Sequence, residues 1–244
     1  MCARTTLTRK QLREVAEELD AEIADEDARL YRPRYNAAPS ETLWVLRSGA
    51  DRRVLAPAIW GYLAGGRTLI NVRGERVGAG AGFREAFASR RCGVICDGFF
   101  EWNARHEPTW FHRADGGLLV LGGLYQAGQT PEALPRFTIL TTRPSELVAA
   151  VHDRMPVVVP PDRIDDWLVD AASRVLDLVV PLPLPSASPS PSHGPARAAD
   201  SARGPALVAT PVSTRVNSVK NDDPACLLPA PRRDRDDDPQ RSLF

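Results

Sequence analysis

Lysine is almost missing from this 244-residue chain: Lys10 and Lys220 are the only two, so nearly every cation is an arginine. Arginine forks suit phosphate, yet a GC-rich genome produces the same bias and is the simpler explanation of composition alone. An excess of one charge sign is missing too. Thirty-one basic residues balance 31 acidic ones, which excludes a globally basic face and leaves a local arginine cluster as the only form a nucleic-acid surface can take. Cysteine is scarce. Cys2, Cys92, Cys96 and Cys226 fit neither a disulfide scaffold nor the paired C-x-x-C spacing of a structural zinc site, so reduced thiols and no metal are expected. No apolar run reaches about 18 residues, and the first residues lack the charged, apolar and small-residue regions of a secretory signal. A soluble, cytoplasmic protein without membrane contact is the expectation, and 43 % hydrophobic residues can supply its core.

Thr8 to about Ile23 reads as a helix, with Leu12, Val15, Ala16, Leu19 and Ile23 on one face and Thr8 with Gln11 as a capping box. Eight acids between Glu14 and Asp27 coat its other face and argue against contact with DNA. From Leu43 to Val159 the pattern changes to short β-branched and aromatic runs: Leu43–Arg47, Val54–Tyr62, Leu69–Arg73, Gly93–Trp102, Thr109–His112, Leu118–Tyr125, Phe137–Thr142 and Met155–Val159. They imply a largely antiparallel sheet system. Two helices interrupt it, one opening near Ser145, the other capped by Asp162 and presenting Ile164, Trp167 and Leu168. The fold class is therefore α+β, as one domain over residues 2–221. A flexible Pro/Ser-rich insertion is expected at about 181–205, and a disordered, charged tail at 231–244.

Chemistry is concentrated in a few places. Cys2 follows the initiator Met; once Met1 is removed, its α-amine and thiol sit on adjacent carbons. Such a 1,2-aminothiol condenses with an aldehyde as a Schiff base and then closes to a thiazolidine. Most cysteines at position 2 are accidental, so this residue needs support. Glu101 lies inside the aromatic run Gly98-Phe-Phe-Glu-Trp102, where apolar neighbours raise a carboxyl pKa and fit it for proton transfer near neutrality; an exposed glutamate on the strand is the bland alternative. Cys92 and Cys96 share strand parity with Val94 and read as buried apolar residues. His152, between a helix and a strand, suits proton shuttling, although a surface pair with Asp153 is equally natural. Asn71 and Arg73 alternate with apolar residues and point to one side of a strand, where an amide could orient an amine and a guanidinium could hold phosphate; a salt-bridged surface is the competing explanation.

Taken in order, Met-Cys2-Ala-Arg4, Arg34-Tyr-Asn-Ala-Ala-Pro39, Trp60-Gly-Tyr62, Ile70-Asn-Val-Arg73, Asp97-Gly-Phe-Phe-Glu-Trp102, His152-Asp-Arg-Met-Pro156 and Pro211-Val-Ser213 with Val216-Asn-Ser-Val-Lys-Asn221 resemble the blocks of the SOS response-associated peptidase (SRAP) family. The resemblance implies a barrel-like, mainly antiparallel β core with peripheral helices and a positively charged cleft for single-stranded DNA. It implies that Cys2 forms a thiazolidine with the ring-opened aldehyde of an abasic site after autocatalytic removal of Met1. Asn71 would orient the Cys2 amine, Glu101 would open the deoxyribose ring and transfer protons, and His152 would assist Schiff-base formation, strand scission or reversal. Arg4, Arg73 and Arg154 would grip phosphates in a salt-sensitive, sequence-independent manner. The implied partner is single-stranded DNA with abasic sites, with the replication machinery as a further one; a monomer without cofactor is expected, nucleoid-associated when bound to DNA. The chain departs from the family pattern at Ala3 in place of glycine, at Leu63–Arg67 in place of a longer tryptophan-bearing loop, and at Val72 in place of alanine. A thiol peptidase acting in trans and a non-covalent DNA-binding module are the competing readings.

Overall fold

A computed structural model describes residues 2–77, 81–130, 132–179 and 206–230; the insertion expected at about 181–205 and the tail at 231–244 lie outside them. The first half contains β1 (Thr5–Leu7), α1 (Leu12–Glu18), β2 (Ala21–Glu22), α2 (Asp25–Ala28), β3 (Arg34–Ala37), β4 (Thr42–Ser48), β5 (Arg53–Trp60), β6 (Tyr62–Ala64), β7 (Arg67–Leu69) and β8 (Asn71–Arg73). There follow α3 (Ala81–Ser89), β9 (Arg91–Cys96), β10 (Gly98–Trp102), β11 (Pro108–Arg113), β12 (Leu119–Gln126), β13 (Arg136–Thr142), α4 (Glu146–Ala149), β14 (Met155–Pro156), β15 (Val158–Val159), α5 (Ile164–Val169) and β16 (Leu207–Pro211). The class is α+β, mostly sheet, and no described helix is long and apolar enough to cross a membrane.

Two sheets share the work. The larger runs β14-β13-β12-β9-β4-β5-β2, and the smaller runs β16-β11-β10-β1-β3. Strand periodicity explains why the larger sheet is apolar on both faces. Leu43 and Val45 of β4, Cys92, Val94 and Cys96 of β9, and Leu119 and Leu121 of β12 enter an inner core between the sheets. Their neighbours Trp44, Leu46, Ile95 and Val120 enter an outer core covered by α1, α3 and α5. The sheet curls until β5 meets β13 in parallel over two residue pairs, Arg136↔Ile59 and Phe137↔Trp60, which gives a barrel-like curl without a long closing ladder. Parallel pairings of β8 with β13 and β2 with β5 temper the antiparallel expectation.

Several local expectations are corrected. The helix expected from Thr8 is confined to α1, and no side chain caps it. Thr8 is engaged elsewhere: its N–H and hydroxyl both donate to the buried carboxylate of Asp97, each at 2.6 Å. The residues before it pair as β1, because Thr5–Leu7 is a buried strand. The single run Gly93–Trp102 is two strands in different sheets, broken at Asp97, whose N–H donates to the Thr6 carbonyl at 2.8 Å. Asp162 lies within a 3-10 turn, Pro161–Arg163, rather than capping α5, although Ile164, Trp167 and Leu168 are buried as expected. Ser145 does cap α4, accepting from Val148 N–H. Gly98 lets the Trp110 ring lie against the backbone; a Cβ there would stand 2.0 Å from Trp110 Nε1.

The C-terminal segment is tied to β3. Asn36 Nδ2 donates to the carbonyls of Val216, Ser218 and Asn221 at 3.1, 3.0 and 2.7 Å. Asp222 accepts from Tyr35 N–H, Asn36 N–H and Arg34 Nε at 2.7, 2.9 and 2.6 Å. Chain ends on either side of residues 180–205 are pinned as well: Thr142 Oγ1 donates to the Val179 carbonyl at 2.9 Å, and Ala114 N–H to the Ala206 carbonyl at 3.0 Å.

Asp97→Ala strands the donors of Thr6 and Thr8 at the junction of the sheets, at about 1–3 kcal/mol for each donor left unmet. Chemical denaturation is expected to show that loss, whereas Arg13→Ala, which removes an exposed pair with Asp25, changes stability by less than about 1 kcal/mol. Equal, small effects of the two substitutions would contradict the anchoring assigned to Asp97.

Candidate active site

Cys2 is fixed by the strand it leads into. β1 pairs with β10 on one side (Thr5↔Phe99, Thr6↔Gly98) and with β3 on the other (Thr5↔Ala37). The ladder extends outward through Phe100 N–H donating to the Arg4 carbonyl at 3.0 Å. Cys2 is fully buried, in the inner core with Ala37, Cys96, Phe99, Val148 and Met155. Its Sγ lies 3.9 Å from the Arg4 carbonyl. Burial pushes the thiol well above its ordinary pKa and the negative charge of Glu101 adds to the rise, so the resting group is the thiol.

Strand parity places Glu101. Phe99 and Glu101 face one side of β10, whereas Phe100 and Trp102 face a separate small core with Val212, Val216 and Cys226. A carboxyl is thereby carried into an apolar interior, where it is 1 % exposed. Burial raises its pKa to about 7, the poise of a group that both gives and takes a proton at neutrality.

Asn71 and His152 arrive from the larger sheet. β8 aligns with β13 (Ile139↔Asn71, Thr141↔Arg73), and Asn71 Nδ2 donates to the Cys2 carbonyl at 2.7 Å. The resemblance assigned Asn71 to the amine; the hydrogen bond observed is to the carbonyl of the same residue. Asn71 Oδ1 is buried with no hydrogen-bond partner among the described residues. His152 follows α4, with Nε2 3.9 Å from Glu101 Oε2. Its Nδ1 accepts the Arg154 N–H at 3.0 Å, and Asp153 Oδ1 stands 3.0 Å from the same nitrogen. Burial lowers the His152 pKa, so the ring is neutral at pH 7; the Arg154 hydrogen bond then places the ring proton on Nε2, facing Glu101.

The structure therefore brings Cys2, Asn71, Glu101 and His152 together, and it separates the three arginines. Arg73 is exposed at the end of β8. Arg4 lies with its guanidinium carbon 5.6 Å above the Trp102 ring and NH1 3.3 Å from the Val216 carbonyl. Arg154 is held in a fork: NH1 and NH2 bind the two oxygens of Glu75 at 2.7 and 2.9 Å, and NH2 also donates to the Thr141 carbonyl at 2.6 Å. Its side chain is only 11 % exposed. Glu75 and Trp102 are the site neighbours that sequence reasoning passed over. Trp102 closes the aromatic run already singled out, while Glu75 is one acid in an Arg-Gly-Glu-Arg stretch and carries no local signal for a partner 79 residues away. At the departures from the family pattern, Leu63–Arg67 spans most of a short β6–β7 hairpin turning on Gly65 and Gly66, both with positive φ. Val72 is buried on the face opposite Asn71 and Arg73.

Comparison with known proteins finds relatives in bacteria and in vertebrates. Abasic site processing protein YoqW of Bacillus subtilis (strain 168) is 34% identical over 152 residues, covering 57% of this chain and 67% of its own. Abasic site processing protein YedK of Escherichia coli (strain K12) is 30% identical over 145 residues, covering 55% of this chain and 64% of its own. Abasic site processing protein HMCES of Gallus gallus is 28% identical over 245 residues, covering 82% of this chain and 67% of its own. Among solved structures, a protein from Bacteroides thetaiotaomicron superposes with a TM-score of 0.70 over 94% of this chain and 100% of its own, at 17% identity. One from Bordetella bronchiseptica gives 0.63 over 87% of this chain and 100% of its own, at 24% identity; both likenesses establish the fold alone. The family model described as SOS response associated peptidase (SRAP) matches residues 1–219, and with that match the chain belongs to the SRAP family.

Proposed function

We propose that this protein recognises abasic sites in single-stranded DNA and captures them covalently through Cys2 once Met1 has been removed, shielding the lesion. The observation that carries the proposal is the convergence on Cys2: Asn71 Nδ2 on its carbonyl at 2.7 Å, with the buried carboxyl of Glu101 raising the pKa of its thiol. The names of the relatives agree with the substrate.

The chemistry needs an amine, a thiol and one group of adaptable protonation. Glu101 with a pKa of about 7 protonates the ring oxygen of the abasic deoxyribose and takes up the proton of the C1′ hydroxyl as the aldehyde opens, so it is again protonated. The freed α-amine of Cys2 attacks C1′, its proton passing to the new alkoxide to give a carbinolamine; Glu101 then gives its proton to the departing hydroxyl, water leaves, and the nitrogen returns a proton to Glu101 as the imine forms. Sγ then adds to the imine carbon while its proton passes to the nitrogen, closing a thiazolidine with no further leaving group. Asn71 Oδ1 supplies the acceptor that orients the amine, and neutral His152, with its proton on Nε2, exchanges with Glu101 during imine formation and reversal. Exposed Arg73 and the Trp102-stacked Arg4 bind backbone phosphates, a salt-sensitive contact. The same acid–base pair serves hydrolysis of the Met1–Cys2 bond, and strand scission is the lyase outcome of the imine if ring closure is late.

Single-stranded DNA carrying one abasic site is expected to give a heat-stable, gel-shifted adduct whose protein mass lacks Met1. Cys2→Ala abolishes it, and Glu101→Gln slows it by roughly 10²–10⁴-fold, the span of positioned proton transfer. Processed protein that never forms the adduct, or peptide cleavage in trans by Cys2, would sink the assignment.

Glu101 also ties stability to pH. Its folded pKa lies above the ordinary 4.5, so the folded state holds the proton more tightly than the unfolded one; stability is full below about pH 4.5 and falls as pH rises to about 7. Glu101→Gln lacks that decline. Urea denaturation at successive pH values is expected to show the variant gaining about 3 kcal/mol on the wild type across that interval; parallel curves would refute the raised pKa.

A further inference from the structure

We infer that Glu75 is a positioning residue: by gripping Arg154 it fixes the loop that sets which nitrogen of His152 carries the proton. The inference rests on the reading in which His152 exchanges protons with Glu101. Glu75 sits in the 3-10 turn Gly74–Arg76, directly after the strand that delivers Asn71. Its two oxygens bind the Arg154 guanidinium at 2.7 and 2.9 Å, a bidentate geometry that restricts both side chains. The Thr141 carbonyl at 2.6 Å and hydroxyl at 3.2 Å complete the clasp from β13. What Arg154 does in return is done by its backbone: its N–H donates to His152 Nδ1 at 3.0 Å. A chain of contacts thus runs from the Asn71 strand, through Glu75 and Arg154, to the imidazole.

Two groups compete for Nδ1. The Arg154 N–H requires it bare, which puts the proton on Nε2 towards Glu101 Oε2, 3.9 Å away. Asp153 Oδ1, 3.0 Å from the same nitrogen, would accept a hydrogen bond from a proton held on Nδ1 and leave Nε2 bare. Asp153 is 86 % exposed, so water satisfies its carboxylate and its pull is weak while the loop is clamped. Released from Glu75, the Arg154 N–H loses its fixed direction, and the ring proton moves to Nδ1, where it donates to Asp153. The clasp also engages both terminal nitrogens of Arg154, while its buried Nε has no partner among the described residues, so a phosphate could grip those two nitrogens only by displacing Glu75.

The test is long-range proton–nitrogen NMR of the histidine rings in the full-length protein, with His152 assigned by His152→Gln, alongside crosslinking to abasic single-stranded DNA. Wild type is expected to hold the proton on Nε2. Glu75→Ala is expected to populate the Nδ1–H form and slow crosslinking by about tenfold, a part of what positioned proton transfer contributes. Adding Asp153→Asn to Glu75→Ala is expected to return the proton to Nε2, and Glu75→Asp to recover part of the rate, neither of which a general loss of structure would produce. Should Glu75→Ala fail to fold, Glu75→Gln keeps the shape and gives the same readout. An unchanged tautomer in the Glu75 variants overturns the inference, and tighter binding of intact DNA with that unchanged tautomer would instead make Glu75 a screen over Arg154. If wild type forms no crosslink, the parent reading fails, while the ring spectra still decide whether Glu75 sets the tautomer.

Discussion

Everything at the site depends on holding the start of the chain still. A terminus ordinarily frays, because it has neighbours on one side only. Here β1 is flanked by β10 and β3 in the smaller sheet, and the carboxylate of Asp97 gathers Thr6 and Thr8 at its far end. Cys2 inherits that order. Glu101 is then positioned on the neighbouring strand by alternation alone, and Asn71 reaches the Cys2 carbonyl from the other sheet.

A dry setting governs the charges. With Cys2 fully buried and Glu101 nearly so, each group ionises less readily than it would in water, and ionising the carboxyl makes the thiol harder to ionise. The resting site is therefore close to neutral, while the cations stay at its margin: Arg73 in solvent, Arg4 against an indole, Arg154 in the grip of Glu75. Net charge zero over the chain is compatible with this arrangement because the useful arginines are few and placed one by one.

Much of this was legible in the residues. The short β-branched and aromatic runs Leu43–Arg47 and Leu118–Tyr125 marked strands, and Phe-Phe-Glu-Trp announced a carboxyl in an apolar strand. The break at Asp97 was passed over although Asp97-Gly98 is a turn signal; what the sequence does not show is that the Asp97 carboxylate meets the donors of Thr6 and Thr8. The same contact defeated the capping box at Thr8. α3 went unnoticed although Phe83 and Phe87 share a helical face; Phe87 packs at 6.0 Å against Trp167, a tertiary contact. Glu75 illustrates the general limit: local sequence predicts a strand and its parity, but not which distant guanidinium an acid will meet.

The anchors at Val179 and Ala206 carry a consequence for how the chain is held. Each belongs to a hydrogen bond with the folded body, and the segment beyond Ala206 is bolted to β3 through Asn36 and Asp222. Each side of the interval from Val179 to Ala206 is thus held by its own bonds to the folded body, so Val179 and the segment from Ala206 keep their places without relying on the covalent link between them.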